Sequence, residues 1–167
     1  DSKASSEAAP LYWKTSKFTV LEQGSFWLSE TTDVMSLGWD AAYYRTCSYA
    51  ALLHKTSGTL VLAFNTHVEN AHAEAKDGGT RLIVERMKAL QKKYTALGYG
   101  ENIAVFCTAD YNCKPGSTGY QNMASGFSDM RLIADSLGSD INQITCHGYG
   151  SSASIIDHIF LDPRGAN

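Results

Sequence analysis

Ile103-Ala-Val-Phe-Cys-Thr-Ala-Asp-Tyr-Asn112 is the stretch whose reading decides the fold. Residues 103–107 are apolar, β-branched or aromatic and carry no charge, which suits a strand buried on both faces of a layered structure. The run ends in Asp110, Tyr111 and Asn112, followed by Lys114-Pro115-Gly116, which is turn chemistry. A carboxylate and a carboxamide two residues apart, just past a strand, can point the same way out of a sheet edge. Such a pair suits a hard cation together with a phosphate. Asp110 can orient a water or a hydrated Mg²⁺, and Asn112 can donate to a non-bridging oxygen. Taken alone, the segment reads first as an Asx-rich turn that closes a strand.

Around it lie 167 residues, 44% hydrophobic and 19% charged, with a net charge of −3. A chain of this size buries roughly 68–70% of its unfolded surface, so one sizeable core and one domain are expected. No run of about 18 uncharged apolar residues occurs, so no membrane span is expected. The negative balance argues against tight wrapping of nucleic acid, which relies on many Lys and Arg contacts. It leaves room for an enzyme that grips one or two phosphates through a metal. Cys47, Cys107, Cys113 and Cys146 allow three full pairings and contain no CxxC. With Cys107 inside the buried strand, free thiols are as good a reading as disulfides, and the compartment stays open.

Asp1 to Pro10 is rich in Ser and Ala and reads as a flexible linker, with no signal peptide visible. Leu11-Tyr12-Trp13 and Phe18–Leu21 bracket a Lys-Thr-Ser-Lys turn, giving two short strands or a hairpin. Thr46–His54 and Thr59–Thr66 form a second hairpin across Lys55-Thr-Ser-Gly58. Asn70–Asp77 is a candidate helix start that Gly78-Gly79 interrupts. From Thr80 onward Ile83, Met87, Leu90, Tyr94 and Leu97 recur at helical spacing, with Gly98 as C-cap. Strand, helix and strand in that order form a crossover unit, which implies sheet covered by helix. The cations at 86–93 are its solvated face. Ser117 or Thr118 caps a short helix through Ala124, and 129–137 is another. Ser154–Leu161 reads as an apolar strand in which Asp157 is too costly to bury without a hydrogen bond or an ion. No dinucleotide-binding or P-loop glycine pattern, HExxH zinc motif or GxSxG elbow is present.

Seven pieces, in order along residues 11–162, together resemble the endonuclease/exonuclease/phosphatase superfamily. They are Gly24-Ser-Phe-Trp-Leu-Ser-Glu-Thr31, Gly38-Trp-Asp-Ala41, Arg45 with Cys47 and Ala50, Phe64-Asn-Thr-His-Val-Glu69, Thr108-Ala-Asp-Tyr-Asn112, Cys146-His-Gly-Tyr149 and Ser154-Ile-Ile-Asp-His-Ile-Phe160. The resemblance implies a four-layered α/β sandwich, two mostly antiparallel sheets flanked by helices. It also implies hydrolysis of phosphoric esters with Mg²⁺ or Mn²⁺, by in-line attack of a carboxylate-oriented water. By that likeness Asp110, Asn112, His67 and Asp157 are catalytic. Asp110 and Asn112 face the metal, and His67, Asn112 and Arg45 hold the phosphate. Asp157 corresponds to the carboxylate that holds the family's catalytic histidine. Glu30, Trp39, Asp40, His147 and His158 line the cleft, with a rim or packing place as the default for His158.

The resemblance has gaps. Family members carry an asparagine strand and a metal-binding glutamate before the equivalent of residue 11, and a Ser-Asp-His strand after the equivalent of residue 162. Ala109 stands where a glycine is usual. The expectation is therefore a domain over 11–162 that is incomplete, with 163–167 as a tail and a complementary polypeptide supplying the other strands. Its partners would be that polypeptide and a phosphate-ester substrate, with nucleic acid a candidate and no membrane. A phosphodiesterase or nuclease leads, a phosphomonoesterase acting on a sugar or lipid phosphate is the neighbouring enzyme, and a noncatalytic phosphate-binding scaffold is the reading from another class.

Overall fold

The computed structural model of the chain describes residues 8–100, 103–136 and 144–162. The expected tail and most of the expected linker lie outside them. The described residues form one six-stranded mixed sheet flanked by three helices. In chain order the elements are β1 (Phe18–Trp27), β2 (Thr46–His54), β3 (Leu60–His67), α1 (Ala73–Tyr94), β4 (Ile103–Asp110), α2 (Thr118–Ala124), β5 (Ser128–Asp129), α3 (Met130–Ile133) and β6 (Asp157–Leu161). Across the sheet the order is β1-β2-β3-β4-β6-β5, and every neighbouring pair is antiparallel except β3 and β4. That parallel pair is joined by α1, the crossover the sequence predicts. The second sheet of the expected sandwich is not found among the described residues.

The sheet's two faces differ. Leu60, Leu62, Phe64 and Thr66 of β3 alternate with Ile103, Val105, Cys107 and Ala109 of β4 on a fully buried face. Ile83, Met87, Leu90 and Tyr94 of α1 belong to the same core, each contributing about 1.5–3 kcal/mol by burial for side chains of this kind. Met123 of α2 and Phe127 close the core beside them. On the opposite face Val61, Asn65 and His67 of β3 stand beside Ala104, Phe106, Thr108 and Asp110 of β4, all of them only partly buried. Pro10 touches this second face, where the Asn65 side-chain amide donates to its carbonyl at 3.0 Å.

Several expected boundaries move. Residues 11–13 form no strand, and β1 instead runs on through the aromatic cluster to Trp27. Leu97 is exposed because α1 ends at Tyr94 and a π-turn follows over Thr95–Tyr99, in which Gly98 takes a φ of +89°. The expected helix at 129–137 is one turn, capped by the Asp129 side chain accepting from the Arg131 amide at 3.0 Å. The Ser117 hydroxyl caps α2 by accepting from the Tyr120 amide.

Gly78-Gly79 does not interrupt the first helix, which begins seven residues before Thr80 and passes straight through both glycines. The indole of Trp39 explains the first of them. A Cβ on Gly78 would sit 2.2 Å from Trp39 Cδ2, whereas one on Gly79 would meet Leu28 at 3.5 Å, an ordinary contact. Helix propensity is given up at Gly78 so that a loop tryptophan can lie against the helix backbone. Gly78→Ala should therefore cost about 1–3 kcal/mol by overpacking. Gly79→Ala should be neutral or gain up to about 1 kcal/mol. Urea midpoints of the two variants check this, and equal midpoints would mean that Trp39 does not depend on the gap.

Candidate active site

The parallel pairing fixes the site. With β3 and β4 in register from Leu60 opposite Ile103, their last residues, His67 and Asp110, fall opposite each other on the half-buried face. The Val68 amide donates to the Asp110 carbonyl at 3.0 Å and extends the pairing one step beyond the strands. Side-chain exposures of 32% for His67 and 31% for Asp110 leave both open to a ligand, with His67 Nε2 3.5 Å from Asp110 Oδ2. Asn112 follows in the left-handed region at φ +49°, a conformation that asparagine tolerates better than most residues. Its amide donates to Asp110 Oδ1 at 2.8 Å, and its side-chain nitrogen donates to the Val68 carbonyl at 3.0 Å. The turn that seemed the plainer reading of this segment and the polar site are thus one structure.

The proton on His67 can be assigned from its neighbours. Arg45 Nη1 lies 3.0 Å from His67 Nδ1, and a guanidinium can only donate, so Nδ1 accepts and the ring hydrogen sits on Nε2. That N–H faces Asp110 and the open side. The approach of Asn112 Nδ2 to the same nitrogen at 3.2 Å is then a contact between two donors and no hydrogen bond. Arg45, expected to clamp phosphate, is only 5% exposed and reaches the site by orienting His67. Its guanidinium also lies over the Tyr43 ring at 5.3 Å.

Glu69, quoted in the sequence as the end of a matching piece but given no role there, holds the next loop in place. One carboxylate oxygen accepts from the amides of Ala42 and Tyr43, each at 3.1 Å, and the other from those of Asn70 and Ala71, each at 2.8 Å. Burial works to raise this carboxyl, but the amides of Ala71, Tyr43 and Asn70 and the nearby Arg45 charge outweigh it and hold the group below its ordinary value. A carboxylate placed directly after a strand and before the small residues Asn70-Ala71 was the available signal.

Asp157 is not embedded in an apolar strand as expected. Strand β6 begins at this residue, and the side chain is exposed, opposite Asp110 in the β4–β6 register, so no burial cost arises. Asp110 and Asp157 both line an open cleft of about 710 Å³, together with Asn65, Thr108 and Arg131. His67 and Asn112 meet this cleft at Asp110 without forming its walls. Of the five residues expected to line the cleft, Glu30, Trp39, Asp40 and His147 lie elsewhere. The Glu30 carboxylate accepts from the Trp39 amide at 3.2 Å, Asp40 lies 3.6 Å from His72, and His147 is exposed beside Tyr149. The strand segment of His158 borders the cleft, but its imidazole is turned inward and is 1% exposed, so it is a packing residue and no wall.

Among the described residues, no group of three His, Cys, Asp or Glu side chains is placed to hold a metal ion. Asp110 and Asn112 offer one carboxylate and one carboxamide, one oxygen of that carboxylate already accepts a backbone amide, and Mg²⁺ demands an octahedron of hard oxygens. These residues alone do not fit the metal the resemblance implies. The four cysteines are all free thiols. No helix among the described residues is long and apolar enough to cross a membrane.

A mixed sheet that delivers an imidazole, a carboxylate and a carboxamide to one edge, under an open cleft, defines an α/β protein with a polar site at the ends of its central strands. Over about 90% of its length the chain is a structural homologue of the endonuclease/exonuclease/phosphatase superfamily. An endonuclease/exonuclease/phosphatase family protein from Bacteroides thetaiotaomicron is 32% identical with a TM-score of 0.71, covering 90% of this chain and 53% of its own. The mannosyl-6-phosphatase of that species is 33% identical with a TM-score of 0.68, covering 90% and 55%. A Bacteroides vulgatus endonuclease/exonuclease/phosphatase is 28% identical with a TM-score of 0.77, covering 90% and 57%. The chain thus spans a little over half the length of these relatives. No family model and no curated protein matches it.

Replacing Glu69 by Gln would put an amide group among four donors and should cost about 1–3 kcal/mol. Because the folded carboxyl lies below its ordinary 4.5, its contribution is full above that value and is lost as pH falls through the folded one. Urea midpoints between pH 7 and pH 3 should therefore fall less steeply in Glu69→Gln than in the unsubstituted protein. Parallel pH profiles would show that Glu69 carries no such linkage.

Proposed function

We propose that these residues are part of the active site of a phosphoric-ester hydrolase whose remaining strands come from polypeptide beyond the 167 residues. The single observation that carries the reading is the convergence of His67, Asp110 and Asn112 at the β3–β4 edge, in a chain homologous to a superfamily of phosphoester enzymes. Asp110 Oδ2 is the oxygen left to take a proton from water as that water attacks phosphorus. The P–O bond to the alcohol breaks in line with the attack, and the departing alkoxide oxygen takes a proton from solvent. His67, with its hydrogen on Nε2, donates to a phosphoryl oxygen on which charge builds. The Asn112 amide steadies the same group, while Arg45 fixes the imidazole from behind. Asp157, on the far side of Asp110, would orient a group from the other half of the domain. Mg²⁺ or Mn²⁺ would need further ligands from that half, and no step here relies on it.

Two observations favour a sugar phosphomonoester over the phosphodiester or nucleic acid that leads from the sequence. One relative, at 33% identity, is a mannosyl-6-phosphatase. The chain's net charge of −3 gives little to a polyanion, and among the described residues Arg131 is the only Lys or Arg in the cleft's walls.

The test is hydrolysis by the chain completed with the rest of its domain, in Mg²⁺, of mannose 6-phosphate, bis-p-nitrophenyl phosphate and plasmid DNA. The expected result is turnover of the monoester, with Asp110→Asn lowering kcat by about a thousandfold or more. Turnover of the diester or of DNA alone would restore the nuclease reading. Failure on all three, or activity indifferent to Asp110→Asn, would leave a noncatalytic scaffold.

A further inference from the structure

The loop that leads into β2 presents an aromatic side chain for which the proposed chemistry has no use. Cys47 pairs with Thr66, so the chain enters β2 at the end of the sheet where His67 closes β3. Arg45, just ahead of the strand, serves two neighbours: Nη1 lies 3.0 Å from His67 Nδ1, and Cζ lies over the Tyr43 ring at 5.3 Å. One guanidinium thus separates the ring from the imidazole proposed to hold phosphate. With Arg45 over it, Tyr43 is still 54% exposed. An exposed tyrosine is ordinary by itself. The backbone beneath this one is held unusually firmly. The amides of Tyr43 and Ala42 donate to one oxygen of buried Glu69, whose other oxygen takes those of Asn70 and Ala71. Earlier in the same loop Trp39 lies against Gly78, and its amide donates to Glu30. Trp39 and Asp40 both take left-handed φ angles, +49° and +64°. Non-glycine residues bear that cost where their surroundings impose it, and such sites cluster around bound ligands.

We propose that Tyr43 is a specificity-determining residue, a fixed platform on which the sugar ring of a phosphate monoester lies while His67 holds its phosphate. The place of the phosphate rests on the hydrolase reading. Sugar C–H groups carry a slight positive charge and pack against the negative face of an aromatic ring, and a platform already held still loses little freedom on binding. The two steps from His67 through Arg45 to the ring make a span of the size of a hexose 6-phosphate. The sheet order puts this loop on the β2 side of His67. On the other side of Asp110 the cleft lined by Ile144, Ile155 and Ile159 opens on the sheet face that the rest of the domain would cover. Asp40, 88% exposed and 3.6 Å from His72 Nδ1, adds a carboxylate to the same loop, which can accept from sugar hydroxyls and repels a second phosphate. The neighbouring aromatic, Tyr44, is bound otherwise: its ring meets Trp27 edge-on at 6.1 Å.

The test uses the chain completed with the rest of its domain and two phosphonates, whose P–C bond is not hydrolysed: the 6-phosphonate analogue of mannose 6-phosphate, and methylphosphonate. Calorimetry in Mg²⁺ at neutral pH should show the sugar phosphonate bound about tenfold more tightly or better. Tyr43→Ala should reduce that preference to about twofold or less, whereas Tyr43→Phe, which keeps the ring, and Tyr44→Ala should preserve it. Should Tyr43→Ala not fold, Tyr43→Leu, which also lacks an aromatic face, carries the same expectation. A preference that survives the loss of the ring overturns the platform, as does no binding of, or no preference for, the sugar phosphonate in the unsubstituted protein. An equal loss for both phosphonates also overturns it, because Tyr43 would then act only by supporting Arg45. Binding is read without turnover, so ring-dependent binding by a protein that hydrolyses nothing would sink the hydrolase reading alone. Turnover of mannose 6-phosphate indifferent to Tyr43→Ala would sink the platform alone.

Discussion

The parallel pairing of β3 with β4 is the constraint on which the site depends. Side chains of a strand alternate between faces, so a slip of one residue would send either His67 or Asp110 into the core. The register is held by the buried face, where Leu60, Leu62 and Phe64 of one strand lie beside Ile103, Val105 and Cys107 of the other. Burying large apolar groups on one side thus decides which polar groups emerge together on the other. The polar ends can be partly exposed and sparsely bonded because the apolar middle of the pair bears the cost of order.

Around that pair the molecule orients its polar groups from behind. Arg45 takes up one nitrogen of His67, Glu69 gathers four amides of two neighbouring loops, and Asp129 receives His158, Tyr120 and the start of α3. Each is a buried ion held by hydrogen bonds, the condition under which burying charge is tolerable.

Much of this was legible in the sequence. The run at 103–112, the hairpin at 46–66 and the helical period from Ile83 to Tyr94 each agree with one local rule and each appears in place, although the strand at 103–110, expected to be buried on both faces, is fully buried on one face only. What escaped were features decided by distant partners. Gly78-Gly79 looks like a break until Trp39, far away in the chain, is known to lie against it. Asp157 looks buried until the strand is seen to begin there, and the choice between a rim and a packing place for His158 stays open until Asp129 and Cys113 are known to face it. Strand β5 is two residues long and has no period to detect. Arg45 was recognised as part of the site, but its depth was not, since residue type gives chemistry and not burial.

The order of the strands has a consequence in time. Strands β1, β2 and β3 join as neighbours in the chain, whereas β3 meets β4 only after the whole of α1 has been laid down between them. Contacts remote in sequence carry a larger closure cost and form later than local ones. His67 waits at the edge of a completed hairpin until α1 docks and brings Asp110 beside it. A nascent chain would therefore acquire its imidazole first and its carboxylate last, and anything that loosens α1 from the sheet should dissolve the site before it dissolves the first three strands.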